Sequence, residues 1–254
     1  MLWILRNGAL ASAVAIAVLA SSGGAAYSAG PGPVAGGPAG VGACKTQASV
    51  VRSGATVADL QTFGDCEIAR RLTTLDQLSA AVRASNGLTS SHAASLTGDI
   101  AAARSGLNGL SATLDSLTRL APARAAILQI VNGYRVYLLL GPQVRLTIAA
   151  DSELALKPHF DQLASTLADR ISAAQAQGKD VRAAQTALAA MKSAVAAAAV
   201  VATAVPAKLL GLRAASYNLS SAALVKAARA AVIEARNDLK NAAQDGRGVL
   251  AALK

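Results

Sequence analysis

Seven residues, Leu96, Ile100, Ala103, Leu107, Leu110, Leu114 and Leu117, recur at alternating intervals of four and three. That alternation keeps one face of an α-helix apolar over three heptads, the a/d pattern of helices packing at a shallow angle. Two further stretches repeat it. Ile68, Leu72, Leu75, Ser79 and Val82 do so early, and Val225, Ala228, Val232, Ala235, Leu239, Ala242, Gly246 and Val249 do so at the end. A side-chain period of two, which a strand requires, is incompatible with these stretches.

Composition points the same way. About a quarter of the 254 residues are alanine and aromatics are only 3%. Alanine is the best helix former because it loses no side-chain entropy on ordering. Few bulky residues also imply a thin core in which helices approach closely along small side chains. The expected fold is all-α: an elongated antiparallel bundle of four or five long helices with coiled-coil-like heptad seams, occupying residues 44–254.

The helix boundaries follow from turn and cap residues. A first helix is expected from Gly64 to Ser85, stopped by Asn86-Gly87 in the left-handed conformation both residues tolerate. Thr89 or Ser90 caps the second. Pro122 opens a third, since a proline in the first turn removes no needed donor. Gly141-Pro142 should kink or break it, with another break at Lys157-Pro158 and an end at Gly178. Asp180 caps a fourth helix with seam Val181, Leu188, Met191, Val195, Ala198, Ala202 and Val205, which Pro206 bends near its end. The last begins at Ser220 or Ser221. Short connections make neighbours antiparallel.

Upstream of the bundle the chain changes character. Residues 1–28 read as a signal peptide: Arg6 as the positive region, Gly8–Ala20 as a short apolar run, and Ser21–Ser28 as small residues. Cleavage fits after Ala26 or after Ser28, and the alternatives are an uncleaved anchor or lipidation at Cys44 behind Val41-Gly42-Ala43. Residues 29–43 are rich in Gly, Pro and Ala and read as a flexible linker. An exported chain with two cysteines most economically joins them, so Cys44 and Cys66 are expected to form one disulfide. Closing that loop contributes roughly 3 kcal/mol in the chain-entropy model. The expected location is extracellular, periplasmic or on the cell envelope.

The formal charge is +10, or +9 without Arg6. A basic surface suits an anionic envelope polymer, a lipid surface or an acidic face of another protein. Export disfavours nucleic acid, and the leucine seams serve self-association as well as intramolecular packing.

Residues suited to chemistry are sparse. His92 and His159 are too isolated to suggest a metal cluster or a Ser-His-Asp arrangement and read as surface residues. Asp151, Glu153 and Asp161 read as acids at helix ends. No catalytic, cofactor-binding or metal-binding residues are assigned, and no enzymatic activity is expected. Tyr134 and Tyr137, one helical turn apart, form with Arg135 and Arg145 a candidate partner-contact patch. Ser193–Ala207 is an uncharged alanine/valine run between Lys192 and Lys208, shorter than a bilayer span and read as a buried central helix. A membrane-inserting segment is the alternative.

Three strings resemble exported, alanine-rich, all-helical bacterial proteins that have no assigned function. They are Ile130 to Tyr137, Gly141-Pro142 with Ala149-Ala150-Asp151, and Arg71 to Leu78 with Leu88-Thr89. The resemblance covers most of the chain after Cys66. It implies helices and export, and it implies no activity and no site residues. The functional expectation is a non-enzymatic exported scaffold, spacer or binding protein, with a membrane-active or lipid-binding bundle as the alternative.

Overall fold

Thr56 caps the first helix that is described in full. Its hydroxyl accepts the Asp59 N–H at 3.2 Å, and the Asp59 carboxylate accepts the Thr56 N–H at 2.8 Å. This reciprocal cap starts helix α1 at Val57. The computed structural model describes Cys44 and residues 55–254, all within one unit, Ala39–Lys254. The expected signal peptide (1–28) and linker (29–43) lie outside the described residues.

The described residues are predominantly helical and contain no strand. The order is α1 (Val57–Ala84), α2 (Ser90–Asp115), α3 (Leu120–Asn132), a π-helical turn (Val136–Leu140), α4 (Gly141–Leu154), α5 (Lys157–Ala176), α6 (Arg182–Leu209) and α7 (Leu219–Ala252). A 3-10 turn, Ala214–Ser216, precedes α7. Five of the α-helices have 20 residues or more.

Several boundaries differ from expectation for identifiable reasons. Gly64 does not begin a helix; it lies inside α1 where α2 and α3 press closest. A Cβ there would overlap the Leu114 side chain and lie 2.8 Å from Ile127 Cδ1. At the other end α1 stops on Ser85 in extended conformation, not on a left-handed Asn86-Gly87. Among the described residues only Arg135 and Gly178 have positive φ. Gly87 instead allows close approach, since its Cβ would stand 2.8 Å from the Ser152 Cα.

The break expected at Gly141-Pro142 falls earlier. Helix α3 ends at Gly133, and Arg135 takes φ 40°, ψ 41°, reversing the chain. From Val136 the backbone then runs helically through Pro142. Proline lacks an N–H and its ring crowds the carbonyl four residues back. The preceding turn widens to accommodate it, with the Gly141 N–H bonded to the Val136 carbonyl five residues away. Val181 takes the cap position of α6 in place of Asp180, although Asp180 still accepts the Arg182 N–H at 3.0 Å. Asn218, not a serine, caps α7.

Helix α4 is the centre of the packing, with nine of its fourteen residues buried. On one side Leu146, Ala149 and Ala150 join a core with α5, α6 and α7. On the other Val144 joins Val136 and Leu140 in a second core with α1, α2 and α3. In α6 the buried positions Ala184, Leu188, Met191, Val195, Ala198, Ala202, Val205 and Leu209 alternate by four and three, as do those of α7 from Ser221 to Val249. The expected seams of both helices are buried throughout.

The alanine/valine run behaves differently from expectation. It belongs to a 28-residue helix long and apolar enough to cross a membrane by length and composition, yet only a third of its most apolar window is buried. Ala189, Ala190, Ser193, Ala196, Ala197 and Val200 face outward. The buried central helix is α4, whose sequence is far more polar.

Two glutamines tie helix ends to their neighbours. Gln61 of α1 donates to the carbonyls of Leu114, Asp115 and Leu117 at the end of α2. Gln143 of α4 donates to those of Leu209 (2.7 Å) and Leu212 (3.1 Å) at the end of α6. Carbonyls in the last turn run short of intrahelical donors, and each glutamine adds a side-chain donor to them across the packing.

Candidate functional site

The densest gathering of charged and aromatic side chains surrounds the π-helical turn. Glu67, Arg70 and Arg71 lie on adjacent turns of α1, at the i, i+3 and i+4 spacing that lets side chains meet. Glu67 and Arg71 are both buried. The Glu67 carboxylate accepts from Arg70 Nη2 at 3.0 Å and from Arg71 Nη1, and Arg71 also bonds the Glu67 carbonyl at 3.0 Å. Both guanidinium groups stack on the ring of Tyr137, at 5.1 and 5.3 Å from its centroid. Arg135 stacks on Tyr217 at 5.1 Å. One carboxylate against three guanidiniums leaves this locality cationic. The Nε–H groups of all three arginines are buried with no acceptor.

The expected patch of Tyr134, Arg135, Tyr137 and Arg145 is therefore distributed over several neighbours. The left-handed backbone at Arg135 separates the two tyrosines, so they do not share a helical face. Tyr134 packs against α2 at Gly106, where a Cβ would meet its ring, and burial raises its phenol above the usual range. Tyr137 lies on α1, Arg135 reaches Tyr217 before α7, and Arg145 is exposed on α4. Glu67, Arg70, Arg71 and Tyr217 complete the cluster and were not singled out by sequence. The acid–base spacing Glu67-x-x-Arg70-Arg71 is their one visible signal.

A second polar locality lies at the other end of α4. Asp151 is almost wholly buried, and its Oδ2 accepts from the Thr89 N–H at 2.9 Å and contacts His92 Nδ1 at 2.8 Å. His92 is thus partly covered rather than a free surface residue, and Asp151 caps α2 from another helix rather than serving its own terminus. Glu153 is buried as well, with Arg236 Nε 3.4 Å from its Oε1. Burial pushes its carboxyl up to about 7, against the opposing pull of Arg236. His159 is exposed, and Asp161 pairs with Lys157 at 2.6 Å.

Helices α5 and α6 enclose a cavity of about 60 Å³ lined by Phe160, Met191 and Val195, with Lys157, Asp161 and Lys192 around it. That is room for about two water molecules. Among the described residues no group of three His, Cys, Asp or Glu side chains converges as a metal site. Cys44 and Cys66 are joined in a disulfide with Cα atoms 5.7 Å apart, and Cys44 is buried.

These features define an all-α protein with two cores joined by a central helix and one disulfide. No protein-family model, curated protein or solved structure matches the chain.

Proposed function

We propose that this chain is a non-enzymatic, exported helical scaffold, spacer or binding protein of the cell envelope or exterior. The observation that carries the reading is the Cys44–Cys66 bond. Disulfides of this kind persist where thiols are not continually reduced, outside the cytosol. It also stands directly after the Gly/Pro-rich segment and fastens the chain to α1. Placed there, it suits a protein whose helical part is held at a distance from its N-terminal attachment. The polar side chains within the fold support a structural role. Gln61, Gln143 and Asp151 tie the ends of neighbouring helices, and Glu67 is shared by two arginines.

Expression with the native N-terminus tests the reading. The chain is expected in the exported fraction, beginning at Tyr27 or Ala29, with its cysteines resistant to alkylation until reduced. It is further expected to retain a protein or polymer partner when native envelope preparations are passed over it. A cytosolic chain with free thiols, or one that retains nothing, overturns the proposal.

A further inference from the structure

Between Asp115 and Asp151 the chain carries Arg119, Arg124, Arg135 and Arg145 and no acidic residue. The same stretch holds four of the large apolar side chains that the fold leaves exposed: Leu128 (61%), Val131, Tyr137 and Leu138 (56%). Helix α3 turns Ala123, Ala126 and Ile130 inward and Leu128 and Val131 outward, with Arg124 exposed one turn before Leu128. Beyond the chain reversal, Leu138 is exposed and Arg145 lies exposed two turns further along.

The two groups are neighbours in space. Ile127 and Ile130 meet α1 at Gly64, whereas Tyr137 lies on Arg70 and Arg71. They therefore border seven residues of α1, about 10 Å of helix. The acids of α1 have partners elsewhere: Asp59 accepts from Thr56 before the helix, Asp65 accepts from Ser111 of α2, and Asp76 pairs with Arg104 of α2. Glu67 is buried under Arg70 and Arg71. The two segments thus present leucines, a valine, a tyrosine ring and guanidiniums, and neither segment carries a carboxylate of its own.

We propose that this face, formed by α3 and the π-helical turn, docks on an anionic lipid surface. Exposed leucines enter the boundary between headgroups and acyl chains, a tyrosine suits the headgroup level, and arginines draw in lipid phosphates. Helix α6, the more hydropathic of the candidates, offers a face of alanines with Val200 as its one large exposed apolar side chain. It lacks comparable anchors. The inference adds to the envelope reading without depending on it, because purified chain and vesicles test it whether or not the chain proves exported.

The test is co-sedimentation of the full chain with vesicles of equal parts phosphatidylglycerol and phosphatidylcholine, compared with phosphatidylcholine alone. The parent chain is expected to bind the anionic vesicles. The exposed double substitution Leu128→Ser/Leu138→Ser, and separately Arg124→Glu, are each expected to weaken binding by roughly tenfold or more with unchanged circular dichroism. Val200→Ser is expected to bind like the parent. All variants keep the N-terminal segment, so the differences report on this face. Absence of binding, equal binding to neutral vesicles, or unaltered binding by both α3/π-turn variants overturns the proposal.

Discussion

Glu153 is a carboxyl group in the wall of an otherwise apolar core, and its burial makes the fold sensitive to pH near neutrality. Its folded value of about 7 lies above the ordinary 4.5. Native protein therefore binds more protons than unfolded chain between those values, so stability falls as pH rises from about 4.5 to 7. The loss at this site is up to roughly 3 kcal/mol. Glu153→Gln is expected to remove that dependence and to stabilise the protein at pH 7.5 more than at pH 5, as urea unfolding at the two values measures. Equal effects at both would contradict the assignment. Gln143 makes a complementary case. Gln143→Ala removes one of two donors to each of the Leu209 and Leu212 carbonyls, which keep the Leu212 N–H and Arg213, and losing these bonds is expected to cost roughly 1 kcal/mol in the same urea unfolding. Neither contact is legible in sequence, because the partners are 66 or more residues away. The same holds for His92 and Asp151, 59 residues apart, which the sequence presents as a surface histidine and a helix-end acid.

At the level of elements, legibility followed the regularity of the spacing that marks the seam. Leucines on α2, and the regular valine and alanine positions of α6 and α7, occupy the buried stripes their spacing implies. Glycine and proline misled where their local meaning was overruled by packing. Gly64 reads as a helix boundary, yet a buried crossing point has use for a residue without a side chain. Gly64→Ala tests this directly. Helix propensity alone favours alanine by about 1 kcal/mol, but the methyl would collide with Leu114. The net effect is expected to be a destabilisation of roughly 1–3 kcal/mol, read by thermal unfolding. The turn at Arg135 was hidden for a different reason. A non-glycine residue in the left-handed region carries no sequence signature, and its neighbours favour helix. The candidate patch was drawn on an unbroken helix and so joined residues that this turn separates.

Two cores share α4 and the π-helical turn before it, whose Leu139 faces one core and Val136 and Leu140 the other, so this short stretch carries much of the coupling between the described halves. The disulfide constrains only the first. Cys44→Ser with Cys66→Ser is expected to lower stability by roughly 3 kcal/mol. Hydrogen exchange in that variant should accelerate in α1, α2 and α3 before α6 and α7, whose packed faces lie in the other core. Simultaneous acceleration everywhere would show that α4 transmits the loss completely. The position of the bond has a mechanical consequence too. A force applied at the N-terminus reaches the folded part through sulfur at Cys66, in the third turn of α1, and bypasses Thr56, where the helix begins. The segment between the two cysteines, including the first turns of α1, is held out of the force path while the bond is intact. Reduction would release the part that precedes α1, from Cys44 to Val57, lengthening a chain under tension by about 45 Å at full extension before any helix unfolds.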